Sequence, residues 1–226
     1  MRKVYLSARA RLGLALAATS ITSVILYFTG VWGRHEHDFA YMIWNLLLAW
    51  VALGVTLFLE RTLHRTYWSS WYALAVTLVW ILFLPNTFYM VTDFIHVREL
   101  TPDSLLTGIF MFSSFIFNGL ILGIISVYIV HRELLQRMAA RAAWLLVAGI
   151  LLLCSFAMYI GRELRWNSWD VVFNPSSLLF DVTDRLINAK EHPHMWPATF
   201  SFFALIASMY VVVWFMARVA RGQRES

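Results

Sequence analysis

A short stretch after the third apolar run carries four polar side chains: a carboxylate and an imidazole, which can transfer protons or bind metals, and a phenol and an amide, which can bind a substrate. If the stretch is an α-helix, with 100° between residues, they fall within an arc of about 80°; they are Asn86, Tyr89, Asp93 and His96. Asp93 and His96 could share a divalent metal ion, or Asp93 could orient His96 as a general base. The alternative is an ordinary interfacial helix whose polar side faces water.

A second polar segment, residues 161–170, directly follows the fifth apolar run. If the helix of that run continues, one face carries Glu163, Trp166, Asn167 and Asp170, and a neighbouring face carries Arg162 and Arg165. The two carboxylates could act as acid, base or metal ligand, while the arginines and Asn167 could hold an anionic group. Alternatively, the segment is an interfacial girdle of tryptophan and snorkelling arginine.

A third polar stretch begins at Asn174-Pro175, which is typical of a helix N-cap followed by the first helical residue. Apolar residues then recur at helical spacing: Leu178, Leu179, Val182 and Leu186. The pattern predicts an amphipathic helix that lies on the membrane surface. For Asp181 and Asp184, a solvated helix face is favoured over a catalytic role.

Other chemical signals in the sequence are weaker. The pairs His35-Glu36-His37 and His192-Pro193-His194 could each contribute to a transition-metal site, but neither has a third ligand at a diagnostic spacing. The sequence contains no phosphate loop, nucleotide fingerprint, nucleophile elbow or His-Glu-x-x-His motif. These absences leave the polar segments as the main candidates for a site.

The composition decides which kind of protein must position these residues. Of the 226 residues, 60% are hydrophobic and only 14% are charged, against roughly 45–50% and 25% in soluble domains. So few charges cannot cover a soluble globule, and so apolar a chain is not disordered. The single cysteine, Cys154, excludes a disulfide scaffold. The composition therefore predicts one all-α membrane domain over residues 1–226.

Six apolar runs are long enough to span a membrane, given a need for about 20 residues each. They cover residues 12–32, 39–59, 69–84, 105–130, 143–160 and 198–217. The first is longer than the apolar core of a signal peptide, so we expect an uncleaved anchor. Pro85 is expected to end the third run and begin a new helix. No run has a charged residue or histidine at its middle, which argues against a buried proton relay; Asn45 and Asn118 are expected to join helices.

The charges predict the orientation of the chain. With both termini inside, the inner segments hold twelve of the 18 lysines and arginines, and the outer segments hold ten of the 13 acids. This bias favours N-in and C-in. It places the long polar segments 85–104 and 161–197, with their short amphipathic helices, on the extracytoplasmic face. The basic inner face suits anionic lipid and gives no reason to expect nucleic acid as a partner.

The two polar motifs together resemble a known family. Leu-Pro-Asn-Thr-Phe-Tyr-Met-Val-Thr-Asp-Phe-Ile-His at 84–96 and Gly-Arg-Glu-Leu-Arg-Trp-Asn-Ser-Trp-Asp at 161–170 are similar to a family of prokaryotic membrane proteins, domain of unknown function 1361. The resemblance covers nearly the whole chain. It implies a bacterial inner membrane and a role for the motif residues, and it implies no activity.

Two classes of function follow from the polar segments. One is an enzyme at the outer leaflet, acting by hydrolysis or transfer on a lipid-linked or headgroup substrate, with a divalent metal compatible but not required. The other is a non-enzymatic binding, transport or assembly protein, in which the outer motifs form a structural cap and partner membrane proteins supply the function. A third alternative is a small membrane protein that its outer helices merely anchor. Membrane lipids are expected partners in every case, and the sequence leaves the oligomeric state open.

Overall fold

The computed structural model describes residues 7–30, 39–164, 166 and 170–222. Its described part is all-helical, without strands. In chain order, the elements are α1 (Ala8–Gly30), α2 (Tyr41–Leu63), α3 (Trp71–Tyr89), a 3₁₀ helix (Met90–Glu99), α4 (Leu105–Leu135), α5 (Ala140–Leu164), α6 (Asp170–Phe173), α7 (Pro175–Ile187) and α8 (Met195–Gly222).

Six helical stretches are long and apolar enough to cross a membrane, as the sequence predicts. Several extend past the apolar runs into charged residues: α4 ends at Leu135 instead of residue 130, and α5 at Leu164 instead of residue 160. Long basic side chains at these ends can bury their stems and keep their charge in water. The helices therefore continue where a hydropathy pattern alone stops.

Pro85 lies inside α3, which runs on to Tyr89. The expectation that Pro85 ends the third span and opens a new helix is therefore wrong. An interior proline removes one backbone hydrogen bond from a helix, whereas ending the helix in lipid exposes several backbone groups. The chain changes its winding five residues later, where the 3₁₀ helix begins at Met90.

Helix α4 lies at the centre of the bundle, in contact with α1, α2, α3, α5 and α8. The core around it is aromatic and tightly packed; its fully buried side chains include Trp80, Phe88, Phe112 and Phe115. α3 packs against α2 and α5 as well, and α5 packs against α8. The end of α3 is thereby held between α4 and the end of α5.

We call the end of the bundle where α3 passes into the 3₁₀ helix the site end. α1 ends there beside the start of α4, since the Thr107 hydroxyl donates to the Gly30 carbonyl oxygen at 3.3 Å. α8 also begins there, because Met195 packs against Tyr159 and Ile160 near the end of α5. The polar segments of the sequence therefore meet at one end of the bundle.

Asn118 ties α4 to α1 inside the bundle, which confirms its predicted role between helices. Its amide oxygen accepts from the Thr19 hydroxyl at 2.7 Å, and its nitrogen donates to the Ser23 hydroxyl at 2.8 Å. Thr22, by contrast, donates only to the carbonyl oxygen of Ala18 in its own helix in the described hydrogen bonding.

We expect Asn118→Leu to lower the free energy of unfolding by about 1–2 kcal/mol, because it removes side-chain hydrogen bonds between two helices in an apolar setting. Thr22→Val should leave the stability unchanged. Unfolding of the purified protein in mixed detergent micelles measures both. Equal stabilities of the two variants would contradict the assignment.

Candidate functional site

The 3₁₀ helix aligns polar residues that are three positions apart, because it has three residues per turn. Asp93, His96 and Glu99 therefore follow one another along one side of it. The exposure of their side chains rises along this row: Asp93 is 1% exposed, His96 is 23% and Glu99 is 44% exposed. The row therefore runs from the interior of the bundle outwards. In an α-helix, residues three positions apart would drift around the axis and would not form such a row.

Asp93 is a buried carboxylate at the inner end of this row. Its Oδ2 atom has no hydrogen-bond partner among the described residues. The Asn45 side-chain amide is a hydrogen-bonding neighbour of the carboxyl group, and the Arg162 guanidinium attracts it electrostatically. A buried polar atom without a partner is costly, so Asp93 is the residue here that calls most for a functional explanation.

His96 lies between a carboxylate and a guanidinium group. Its Nδ1 lies 2.8 Å from Glu99 Oε1, and its Nε2 lies 3.3 Å from Arg162 Nη1. Since arginine can only donate, Nε2 accepts, and Nδ1 carries the proton that is donated to Glu99. This arrangement fits a neutral imidazole in a fixed tautomer.

Glu99, and not Asp93, is therefore the carboxylate that orients His96. The helical-wheel prediction missed Glu99 because it assumed 100° per residue. The signal was present as a repeat of three in Asp93, His96 and Glu99. Two aromatic residues before and at the start of α2 also contact the imidazole: the Tyr41 and Phe39 ring centroids lie 5.9 and 6.3 Å from it.

Arg162 reaches the cluster because the ends of α3 and α5 touch. The Tyr89 hydroxyl donates to the Gly161 carbonyl oxygen at 3.4 Å, and Arg162 is a hydrogen-bonding neighbour of Tyr89. A Cβ atom at position 161 would lie 3.1 Å from the Tyr89 ring and 3.3 Å from the Trp166 carbonyl oxygen. Glycine at this position thus permits the close approach that brings Arg162 to His96 and Asp93.

The second polar segment is not one helix. α5 ends at Leu164, Trp166 is not helical and α6 begins at Asp170, so the continuous helix on which a common face with Glu163, Trp166 and Asp170 depended is not formed. Glu163 is exposed on the last turn of α5, and Asp170 accepts from the Asn174 side chain at 3.2 Å. Arg165 and Asn167 lie outside the described residues, as do the histidines of the 35–37 pair.

An apolar cavity of about 280 Å³ opens beside the cluster, between α3, α5 and α7. Asn86 and Tyr89 line it from α3, and Gly161 lines it from α5. The Asn86 side chain donates to the Phe83 carbonyl oxygen at 3.1 Å. Tyr89 and Gly161 thus border both the polar cluster and the cavity.

Helix α7 closes one side of this cavity. Its Leu178 and Val182 line the cavity, and Trp166 Nε1 donates to Asp181 Oδ2 at 2.8 Å. Leu179 and Phe180 of the same helix are 65% and 72% exposed. Asp181 therefore holds α7 in place, in contrast to the solvated role that the sequence favoured.

The end of α7 carries a small polar network. The Asn188 amide donates to Asp184 at 2.7 Å, and His192 lies 3.3 Å from the same carboxylate. The Asn188 hydrogen bond, followed by that of His192, holds the pKa of Asp184 below its ordinary value. His192 of the second His-x-His pair is thus paired with a carboxylate.

The end of the bundle opposite the site end contains a second polar cluster. In the described part of the chain, the one group of three close metal-ligand side chains is Glu60, His64 and Glu133. Both carboxylates are already paired: Arg9 donates to both Glu60 oxygens at 2.9 Å, and Arg137 donates to Glu133 at 2.6 Å. These ion pairs of buried carboxylates with more exposed arginines were not foreseen, because the sequence indicated a plain basic surface here.

Of three comparisons with known proteins, one gave a match. Searches of the curated proteins and of the solved structures found no match. A family model described as protein of unknown function (DUF1361) matches residues 44–209, which include the 3₁₀ helix, Arg162 and the walls of the cavity. The chain therefore belongs to the DUF1361 family.

Proposed function

We propose that the protein is a membrane enzyme that acts on an amphiphile with an anionic headgroup, by hydrolysis or group transfer on a lipid-linked phosphate or ester. One observation carries the proposal: Asp93 is buried with an unpartnered oxygen beside Arg162. It lies at the site end, where His96 is held in one tautomer. A buried ionisable group with an unpartnered atom is costly and often marks a functional site.

Each residue of the cluster has a distinct role in the proposed reaction. Arg162, supported by Tyr89 and Asn86, holds the anionic group of the substrate. Once Arg162 turns from His96 Nε2 to the bound anion, this nitrogen takes a proton from the attacking water or hydroxyl, while Glu99 keeps the imidazole oriented. The attacking oxygen forms a bond to phosphorus or to the acyl carbon, and the bond to the leaving oxygen breaks. Asp93, as the carboxylic acid, gives its proton to the leaving oxygen, and the proton gained by His96 restores the acid before the next turnover.

The remaining candidates have lesser parts in this scheme. Both ring nitrogens of His96 are engaged by Glu99 and Arg162, so a metal on Asp93 and His96 would require their rearrangement, and the scheme uses none. Glu163 and Asp170 receive no step. Arg165 and Asn167 stay candidate substrate ligands on sequence grounds.

The charge bias supports placing the site on the extracytoplasmic face of a bacterial inner membrane, with both termini inside. On that side the site meets headgroups of the outer leaflet. Labelling of single cysteines introduced at exposed Asp103 and exposed Gln136 in intact cells tests this orientation, because an impermeant reagent should modify the first and spare the second.

The alternative is a non-enzymatic binding or assembly role. It is favoured by the contacts of Arg162 with His96 and of Tyr89 with Gly161, which already join the ends of α3 and α5 as a structural cap would. In that case, the function belongs to a partner membrane protein, and loss of Asp93 affects assembly alone.

Lipidomics separates the two functions. Cells that express the protein are expected to lose one class of lipid-linked phosphate or ester and accumulate its product. Asp93→Asn and His96→Gln should each slow this conversion by about 10²-fold, the usual worth of an acid–base residue. Asp103→Asn, which changes an exposed carboxylate in the loop after the 3₁₀ helix, should not.

Equal membrane levels of all variants are the condition of this comparison. If conversion continues unchanged in both Asp93→Asn and His96→Gln, the enzymatic proposal is wrong. If no lipid class changes although the wild-type protein is in the membrane, the binding role is the better one.

A further inference from the structure

We propose that the apolar cavity between α3, α5 and α7 holds the hydrocarbon chain of an anionic single-chain amphiphile. This inference rests on the proposed function, in which Arg162 holds the headgroup, and it names the class of substrate. Tyr89 and Gly161 border both the polar cluster and the cavity, so a headgroup on Arg162 has its chain at the mouth of the cavity.

The chemistry of the walls suits a hydrocarbon chain. α5 contributes Phe156, Ala157 and Ile160, and α7 contributes Leu178 and Val182. These side chains offer apolar surface, and burial of a methylene group against such surface is worth about 0.8 kcal/mol. The polar groups at the cavity, Asn86 and Tyr89, belong to the helix turn nearest the cluster.

The size of the cavity limits the occupant to one chain. Its volume of about 280 Å³ lies at the lower end of the roughly 300–1,000 Å³ of small-molecule pockets. A second acyl chain has no room beside the first. The observations therefore favour a substrate with one long chain on a phosphate or similar anion over a diacyl phospholipid.

The position of α7 provides the route of entry. None of the residues of α7 is buried, and Leu179, Phe180 and Ile187 on its other side are exposed apolar residues. The helix thus lies between lipid and cavity and is held near the end of α5 by the bond from Trp166 to Asp181. A small outward movement of α7 opens the cavity sideways to the membrane.

Photo-crosslinking tests the inference with a defined probe, dodecyl phosphate that carries a diazirine near the end of its chain. The full-length protein is placed in phosphatidylcholine nanodiscs, irradiated and mapped by mass spectrometry. We expect labels within residues 153–160 and 178–182. Ala157→Phe, which fills the cavity, should reduce labelling roughly tenfold or more, and Ala204→Phe, the same change at an exposed position of α8, should not.

The outcomes are distinct for the two proposals. The wild-type protein alone can overturn the inference. It does so if the labels lie elsewhere, such as in the groove that Phe110 and Phe117 of α4 line. Undiminished labelling of folded Ala157→Phe would do the same. Loss of labelling in Ala157→Phe with full labelling in Arg162→Ala would support the chain site and contradict the headgroup position of the proposed function.

Discussion

Arg162→Ala is expected to lower conversion of the lipid substrate by about 10³-fold, more than the loss of His96. Arg162 contacts His96 Nε2 at 3.3 Å and attracts the Asp93 carboxyl group, and in the proposed function it also binds the headgroup. Its removal leaves the buried Asp93 carboxyl group without the positive charge that attracts it, and an uncompensated buried charge is costly. The loss of the substrate anchor adds to this cost.

Arg162→Lys should restore only a small part of the activity, since an ammonium group cannot reproduce the forked donors of a guanidinium. Arg98→Ala serves as the matched control, because Arg98 is an exposed cation on the same 3₁₀ helix. Initial rates at equal protein content, together with the melting temperature of each variant, separate catalysis from folding. A rate for Arg162→Ala within a few-fold of that for Arg98→Ala would contradict the role of Arg162.

The number of spanning helices could be predicted from the sequence, and the faces they present could not. Lipid requires that backbone groups bond within a helix, so a run of about 20 apolar residues has one outcome. A helix that is apolar on all sides carries no signal of which side packs inwards. For this reason the approach of Asn45 and Tyr41 to Asp93 and His96 could not be foreseen.

Part of the candidate site could be predicted from the sequence. Spacing alone drew attention to Asp93 and His96, and the motif at 161–170 drew attention to Arg162. The orienting role of Glu99 depends on the tighter winding of the 3₁₀ helix. Local residue preferences do not predict that winding. The opposite end shows the same limit: Glu60 and Glu133 lie among basic residues in the sequence, and only helix packing determines that both are buried.

Gly119→Ala is expected to have the largest effect on stability, a loss of about 3 kcal/mol in the free energy of unfolding. A Cβ atom at position 119 of α4 would collide with the Thr87 carbonyl oxygen and the Met90 methyl group. Overpacking of this kind usually costs about 1–3 kcal/mol, and here the obstacle is partly backbone. Since Thr87 and Met90 flank the point where α3 becomes the 3₁₀ helix, its displacement moves Asp93 as well, and activity should fall with stability.

Two further variants test whether backbone contact is the cause. Gly54→Ala and Gly149→Ala place the same methyl group where no atom lies within 4 Å, so each should be neutral or stabilising by up to about 1 kcal/mol. Met90→Ala added to Gly119→Ala removes the flexible side chain but leaves the Thr87 carbonyl group, so the double variant should stay unstable. If it regains the stability of Met90→Ala alone, the side chain was the whole obstacle, and α3 and α4 are not held at the distance that fixes the 3₁₀ helix.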